Sequence, residues 1–145
     1  MGWLKIFIFI MILMSSVHHR PLELATTTVQ IGNQDLEVEV ASTFSQQYQG
    51  LSGREAICAD CGMLFNFSDY GPKSFVMRNM KFPLDIIFID NGVIKNIAAN
   101  LPPEGDRPAM IYQSAGAANQ VLEVNGGYCA AHNIQAGDFI KITGN

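Results

Sequence analysis

The chain predicts an α+β domain that is mostly β: a small barrel-like or rolled antiparallel sheet with two short helices. Three observations lead there. Apolar residues make up 48% of the 145 positions and charged residues only 15%, enough to bury the core of one domain and too apolar for disorder. Short stretches alternate apolar and polar side chains with the period of two that a half-buried strand requires. Thirteen Gly and six Pro are spread along the chain, as many short elements joined by turns demand.

Residues 1–20 stand apart from this domain. Lys5 precedes an unbroken apolar run, Ile6 to Met14, which "SSVHHRP" ends. The run is short of the roughly 20 residues that cross a bilayer core, and its charged flank fits a secretory signal peptide. Ser15, Ser16 and Val17 make a poor cleavage site, so both removal and retention as an anchor over residues 4–17 stay open. Export to the periplasm or medium is expected, with residues 21–145 as a single domain. Membrane contact is expected only through an uncleaved N-terminal segment. Beyond residue 20, thirteen acidic residues face seven scattered basic ones, a net charge of −6. Nucleic acid and anionic membrane surfaces need clustered positive charge and are not expected partners.

The elements follow in order. Thr28 to Ile31 forms one arm of a hairpin, Gly32 and Asn33 turn it, and Leu36, Val38 and Val40 alternate with Glu37 and Glu39 on the other arm. "STFSQQYQGLSGR" predicts a helix of about two turns, with Ser42 or Thr43 as N-cap and Gly50 or Gly53 as stop. "GMLFNF" predicts a strand, "SDYGP" a turn and "KSFVMRNM" a second strand-like piece. Leu84 to Asp90 is almost wholly apolar and too short for a helix, which predicts a central strand covered on both faces. Asn91-Gly92 then makes a tight hairpin into "VIKNIAA". After the polar loop "NLPPEGDRP" come a short strand around Ile111, a Ser/Gly turn and a strand from Asn119 to Val124. "GGYCAAHNI" predicts the second short helix, and "QAGDFIKIT" a closing strand carrying Phe139, Ile140 and Ile142.

Several phrases are specific together: "GLSGR", "GMLFNF", "SFVMRNMKFPLDIIFID", "VLEVNGG" and "HNIQAGDFI". In this order and spacing, over residues 26–143, the chain resembles the bacterial and archaeal family known as domain of unknown function 192. The resemblance implies one mostly β domain, in many members exported behind an N-terminal apolar segment, and it implies no particular reaction. The chain departs from the family pattern at Val76, where an aromatic is common, at Cys129, and in the two cysteines ahead of "GMLF". Cysteine chemistry would therefore belong to this protein and its close relatives.

The three cysteines leave alternatives open. Cys58 and Cys61 in "CADCG" are expected to oxidise to a local disulfide in an exported protein, or to stay quiet thiols. A catalytic redox pair wants a depressed thiol pKa, which Asp60 between them disfavours. Zinc is the rival, through a Cys₃His set of Cys58, Cys61, Cys129 and His132, since both halves share the same gap. No other cofactor is expected. Met63, Met77, Met80 and Met110 offer soft sulfur for copper, but methionine is commonly a core filler.

The polar residues of the central phrase are the better candidates for binding. Arg78 and Asn79 interrupt a strand-like run, and Asp85 enters the most apolar strand, where an isolated charge is expensive. Either Asp85 pairs with Arg78, Asn79 or loop backbone for structural reasons, or these residues line a shallow pocket with Arg54, Glu123 and Asn125. Signatures of nucleotide binding, of zinc proteases and of serine hydrolases are absent from the sequence. Asp85 with Glu123 is a carboxylate pair of the kind glycosidases use, but nothing in their spacing points to a cleft. The expected function is a non-catalytic binding or accessory module of the cell envelope, with a zinc- or thiol-dependent protein as the alternative.

Overall fold

The computed structural model describes residues 23–144, in which seven strands form one sheet in the order β5-β4-β6-β3-β2-β1-β7. The N-terminal segment expected to direct export, with His18 and His19, lies outside the described residues. Among the described residues no helix is long and apolar enough to cross a membrane. The strands are β1 (Thr26–Ile31), β2 (Gln34–Ala41), β3 (Cys61–Phe75), β4 (Leu84–Asp90), β5 (Val93–Leu101), β6 (Tyr112–Asn125) and β7 (Ile140–Ile142). Two short helices, α1 (Phe44–Gln49) and α2 (Tyr128–Ala131), complete the fold.

The sheet curls into a half-barrel. Its ends draw together where Ile94 of β5 donates to the Asp138 carbonyl at 2.9 Å and Ile140 donates back to Gly92 at 2.8 Å. Every strand contributes to one buried cluster, including Val29, Leu36, Leu64, Ile87, Ile94, Leu122 and Ile140. Only the concave face of a curled sheet lets all seven converge. The next residues along β3, β4 and β6 point the other way, and Met63, Phe65, Ile86, Phe88 and Val121 join a second cluster on the convex face. Leu84 to Ile89 are accordingly buried on both sides, as the central-strand expectation requires.

Local chemistry sets several boundaries. Thr43 caps α1 by accepting from the Gln46 amide, while the Gln46 side chain accepts from the Thr43 amide. Gly50, at φ +50°, ends the helix. Asn91 and Gly92 both take positive φ and make the β4–β5 hairpin. One pair departs from an all-antiparallel sheet: β2 and β3 run parallel, joined by a crossover that carries α1.

Two expectations are corrected. "GMLFNF" and the piece after "SDYGP" belong to one long strand, β3, and the two pieces around Ile111 and Asn119 belong to one long strand, β6. The turn residues become irregularities in the β3–β6 ladder, whose register shifts between Asn66 and Gly71. A bulge absorbs extra residues without reversing the chain, so turn-type residues do not distinguish it from a hairpin. "VMRNM" lies outside β3 and packs Met77 and Met80 against the convex face. In the closing segment only Ile140 is buried, while Phe139 is exposed.

Asp85 joins these parts. It is fully buried, and its carboxylate accepts from three backbone amides: Asn100 at 2.6 Å, Gly127 at 2.9 Å and Cys129 at 2.8 Å. α2 has no cap from its own N-cap residue, Gly127, so β4 supplies one. Replacing Asp85 by Ala would leave three amides without their acceptor, and should lower the unfolding free energy by at least about 3 kcal/mol in urea denaturation. Asp85→Asn, which keeps one acceptor oxygen, should lose less. Equal stability of Asp85→Ala and the parent chain would remove Asp85 from this role.

Candidate functional site

On the convex face, α1 and residues 76–80 leave part of the second cluster uncovered. The gap is a cavity of 450 Å³. Its walls are Phe65, Phe67 and Phe75 from β3, with ring centroids 4.9 Å apart for Phe65–Phe75 and 6.3 Å for Phe67–Phe75, edge to face. Leu51 and Met80 extend the apolar lining. The mouth carries Phe44 and Tyr48 of α1, stacked at 6.1 Å and exposed at 83% and 62%.

α1 buries none of its own residues, so polar contacts hold it in place. The Gln47 amide group donates to the Asn66 carbonyl of β3 at 2.9 Å. Arg78 donates to the Tyr48 carbonyl at 2.7 Å, and its guanidinium lies 4.1 Å from the centre of the Tyr48 ring. Ser52 in turn donates to the Arg78 carbonyl at 2.8 Å.

Two charged side chains are buried in the lining. Lys73 gives its ammonium to the Asp69 carboxylate at 2.7 Å and the Asp69 carbonyl at 3.1 Å, 4.7 Å from the Phe67 ring centre. The hydrogen bond from Lys73 is the main reason the Asp69 carboxyl lies below its ordinary range. Glu123 of β6 is different. It stands between Met63 of β3 and Ile86 of β4 in register, is only 5% exposed, and makes no side-chain hydrogen bond among the described residues. Burial without a partner pushes its carboxyl up to about 8, so the neutral acid predominates at pH 7.

Of the six residues expected to share a pocket, the structure brings two together here, Arg78 and Glu123. Arg54 pairs with Glu39 and lines a separate hollow of 190 Å³ beside Cys58 and Cys61. Asn79 acts through its backbone: it takes φ +53°, donates to Gly105 and accepts from Gly53. Asn125 donates to the Cys58 carbonyl at 2.8 Å. Asp85 lies opposite Val124 in the ladder and Glu123 lies opposite Ile86, so the two carboxyl groups point to opposite faces of the sheet. Their joint use in hydrolysis is thereby ruled out.

Sequence reasoning missed the aromatic walls and Lys73. The signal was there in Phe65, Phe67, Lys73 and Phe75, all odd-numbered positions, and in Phe44 and Tyr48 one helical turn apart.

The proposed zinc set is not assembled. Cys58 and Cys61 are joined as a disulfide at the start of β3, with Cα atoms 5.0 Å apart. Cys129 is buried in the concave cluster, where desolvation pushes its thiol up, and the His132 ring lies 4.2 Å from that of Tyr128. Among the described residues no three His, Cys, Asp or Glu side chains converge as a metal site. Met63, Met77 and Met80 fill the convex cluster, and Met110 is exposed.

The raised pKa of Glu123 makes stability depend on pH. The folded state holds a proton that the unfolded chain releases near pH 4.5, so this contribution is complete below 4.5 and is lost as pH rises through about 8. Relative to Glu123→Gln, the parent chain should lose about 1.4 kcal/mol per pH unit across that window in urea denaturation. Parallel pH profiles for the two proteins would show that Glu123 does not titrate in this way.

The DUF192 family, described as "Uncharacterized ACR", matches residues 26–142. No curated protein matches the chain. A crystal structure from Sinorhizobium meliloti, of a protein named as a candidate transcription regulator, superposes with a TM-score of 0.78 at 32% identity, covering 83% of this chain and 96% of that one. Another, of a protein of unknown function from Novosphingobium aromaticivorans, gives a TM-score of 0.73 at 33% identity over 81% and 84% of the two chains. The "FVMRN" stretch, whose Arg78 lies against Tyr48 of α1, and the Asp85-capped helix thus sit in a fold shared with these proteins, and the chain belongs to the DUF192 family.

Proposed function

We propose that the protein is an exported module of the cell envelope that binds a small, largely apolar molecule in the cavity beneath α1, without chemistry of its own. One observation carries this: a 450 Å³ cavity, walled by aromatic rings, onto which a buried glutamate, Glu123, brings a carboxyl group that has no hydrogen-bond partner among the described residues. Small-molecule sites have this size, and here aromatic walls stand beside polar groups such as Gln47, Ser74 and Glu123 that can fix a ligand's orientation. Two exposed rings at the mouth add to the case, because large apolar side chains on an otherwise polar helix gain little unless something covers them.

Charge favours a small molecule over nucleic acid. Arg54, Lys73, Lys81 and Lys95 each lie in an ion pair with a carboxylate, which leaves no basic stripe among them. The regulatory role in the name of the Sinorhizobium protein is therefore not carried over. Export is supported by the apolar run from Ile6 to Met14 and by a disulfide, a bond that persists in oxidising compartments. Cell fractionation should find the chain outside the cytoplasm, and recovery in the cytosol with reduced Cys58 and Cys61 would contradict export.

The cavity is tested with N-phenyl-1-naphthylamine, an uncharged probe that fluoresces in apolar surroundings. Val76→Trp, at the exposed rim, should weaken probe binding at least about tenfold, equivalent to about 1.4 kcal/mol. Phe44→Ala should weaken it with little change in thermal stability, since the ring is almost fully exposed. Unchanged fluorescence in both variants would place the probe elsewhere and remove the cavity as the site.

A further inference from the structure

The geometry points to a cationic head group: we propose that the cavity takes an alkyl- or arylammonium, its nitrogen on the Glu123 carboxylate and its apolar body among Phe65, Phe67 and Phe75. This rests on the cavity being the ligand site. The charges already present decide the sign. Asp69, Lys73 and Arg78 are the other charged groups of the lining, while α1 contributes none. Lys73 is spoken for by Asp69, and Arg78 is tied to the carbonyl and ring of Tyr48. Of these four, Glu123 has no partner among the described residues, and its neighbours across the ladder, Met63 and Ile86, can supply none.

A ligand anion would meet donors that are already engaged at the walls and a carboxyl group at the floor. An ammonium would instead complete a charge-assisted hydrogen bond in a desolvated site, where such bonds are strongest. The walls suit it as well. Lys73 rests 4.7 Å from the Phe67 ring centre and Arg78 4.1 Å from that of Tyr48, so the rings of this cavity already receive cations.

Binding has a proton balance. The neutral carboxyl group of Glu123 transfers its proton to solvent as the ammonium arrives, and the ion pair replaces the buried acid. At pH 7, below the value of about 8 in the free protein, an ammonium ligand that pairs with the carboxylate therefore releases close to one proton, and well above pH 8 it releases none. A ligand merely packed against the rings releases none.

Three near-isosteric probes separate these cases: 2-phenylethylammonium, 2-phenylethanol and phenylacetate, titrated calorimetrically into the full chain at pH 7 in two buffers of different ionisation enthalpy. The ammonium should bind at least about tenfold tighter than the alcohol, phenylacetate weakest, with close to one proton released. Glu123→Gln, a neutral isostere of the buried acid, should stay folded, bind the ammonium no better than the alcohol and release no proton. Preference for the alcohol or phenylacetate, or no binding of all three while N-phenyl-1-naphthylamine still binds, would overturn the cationic head and leave the cavity standing. Failure of the neutral probe as well would overturn both.

Discussion

A curled sheet has two apolar faces, and curling seals only one of them. In this protein the concave face closes on itself, because seven strands bring their inward side chains to a common centre and α2 fills the end. The convex face must be covered by whatever the connections provide. Those are a six-residue helix that buries none of its own side chains and a short segment carrying Met77 and Met80. Phe65 is buried, but neither is large enough to cover the rings of Phe67 and Phe75 completely, and the cavity is the shortfall. Its position follows from the fold class, and its chemistry from which side chains β3 and β6 present there.

Two carboxyl groups show how strongly face decides fate. Asp85 and Glu123 sit on adjacent, hydrogen-bonded strands, almost opposite each other in the ladder. Asp85 points to the concave side and meets three backbone amides from the β5 end and the start of α2. A charge so satisfied stabilises the structure and becomes part of it. Glu123 points to the convex side and meets Met63, Ile86 and open cavity. An unpartnered buried acid costs stability in its charged form, so it holds its proton and stays available to whatever enters.

The polar ties around α1 place the mouth of the cavity rather than its floor. Arg78 bridges the helix and the segment after β3, and Gln47 fastens the helix to β3 itself. With no buried apolar residue, α1 is held by groups that water can compete for, so its attachment is weaker than that of an amphipathic helix. The disulfide loop is anchored separately, through Asn125 on β6, and lines its own hollow with Arg54. The cysteine chemistry and the cavity are thus distinct features of the fold.

By itself the sequence determined what rests on neighbours along the chain. Thr43 and Gln46 cap α1, Asn91-Gly92 turns β4 into β5, and the run from Leu84 to Asp90 marks a strand buried on both faces. Each depends on contacts within a few residues or on a periodicity that survives any tertiary arrangement. Arg78 and Glu123 were also legible as polar residues in apolar surroundings, which is a local property. Only the tertiary structure decided which polar residues meet. Register puts Asp85 and Glu123 on opposite faces, bulges turn apparent turns into the long strands β3 and β6, and the crossover from β2 to β3 brings α1 over the convex face. Those outcomes rest on pairings between residues tens of positions apart, and a shift of one residue in register would exchange the two faces.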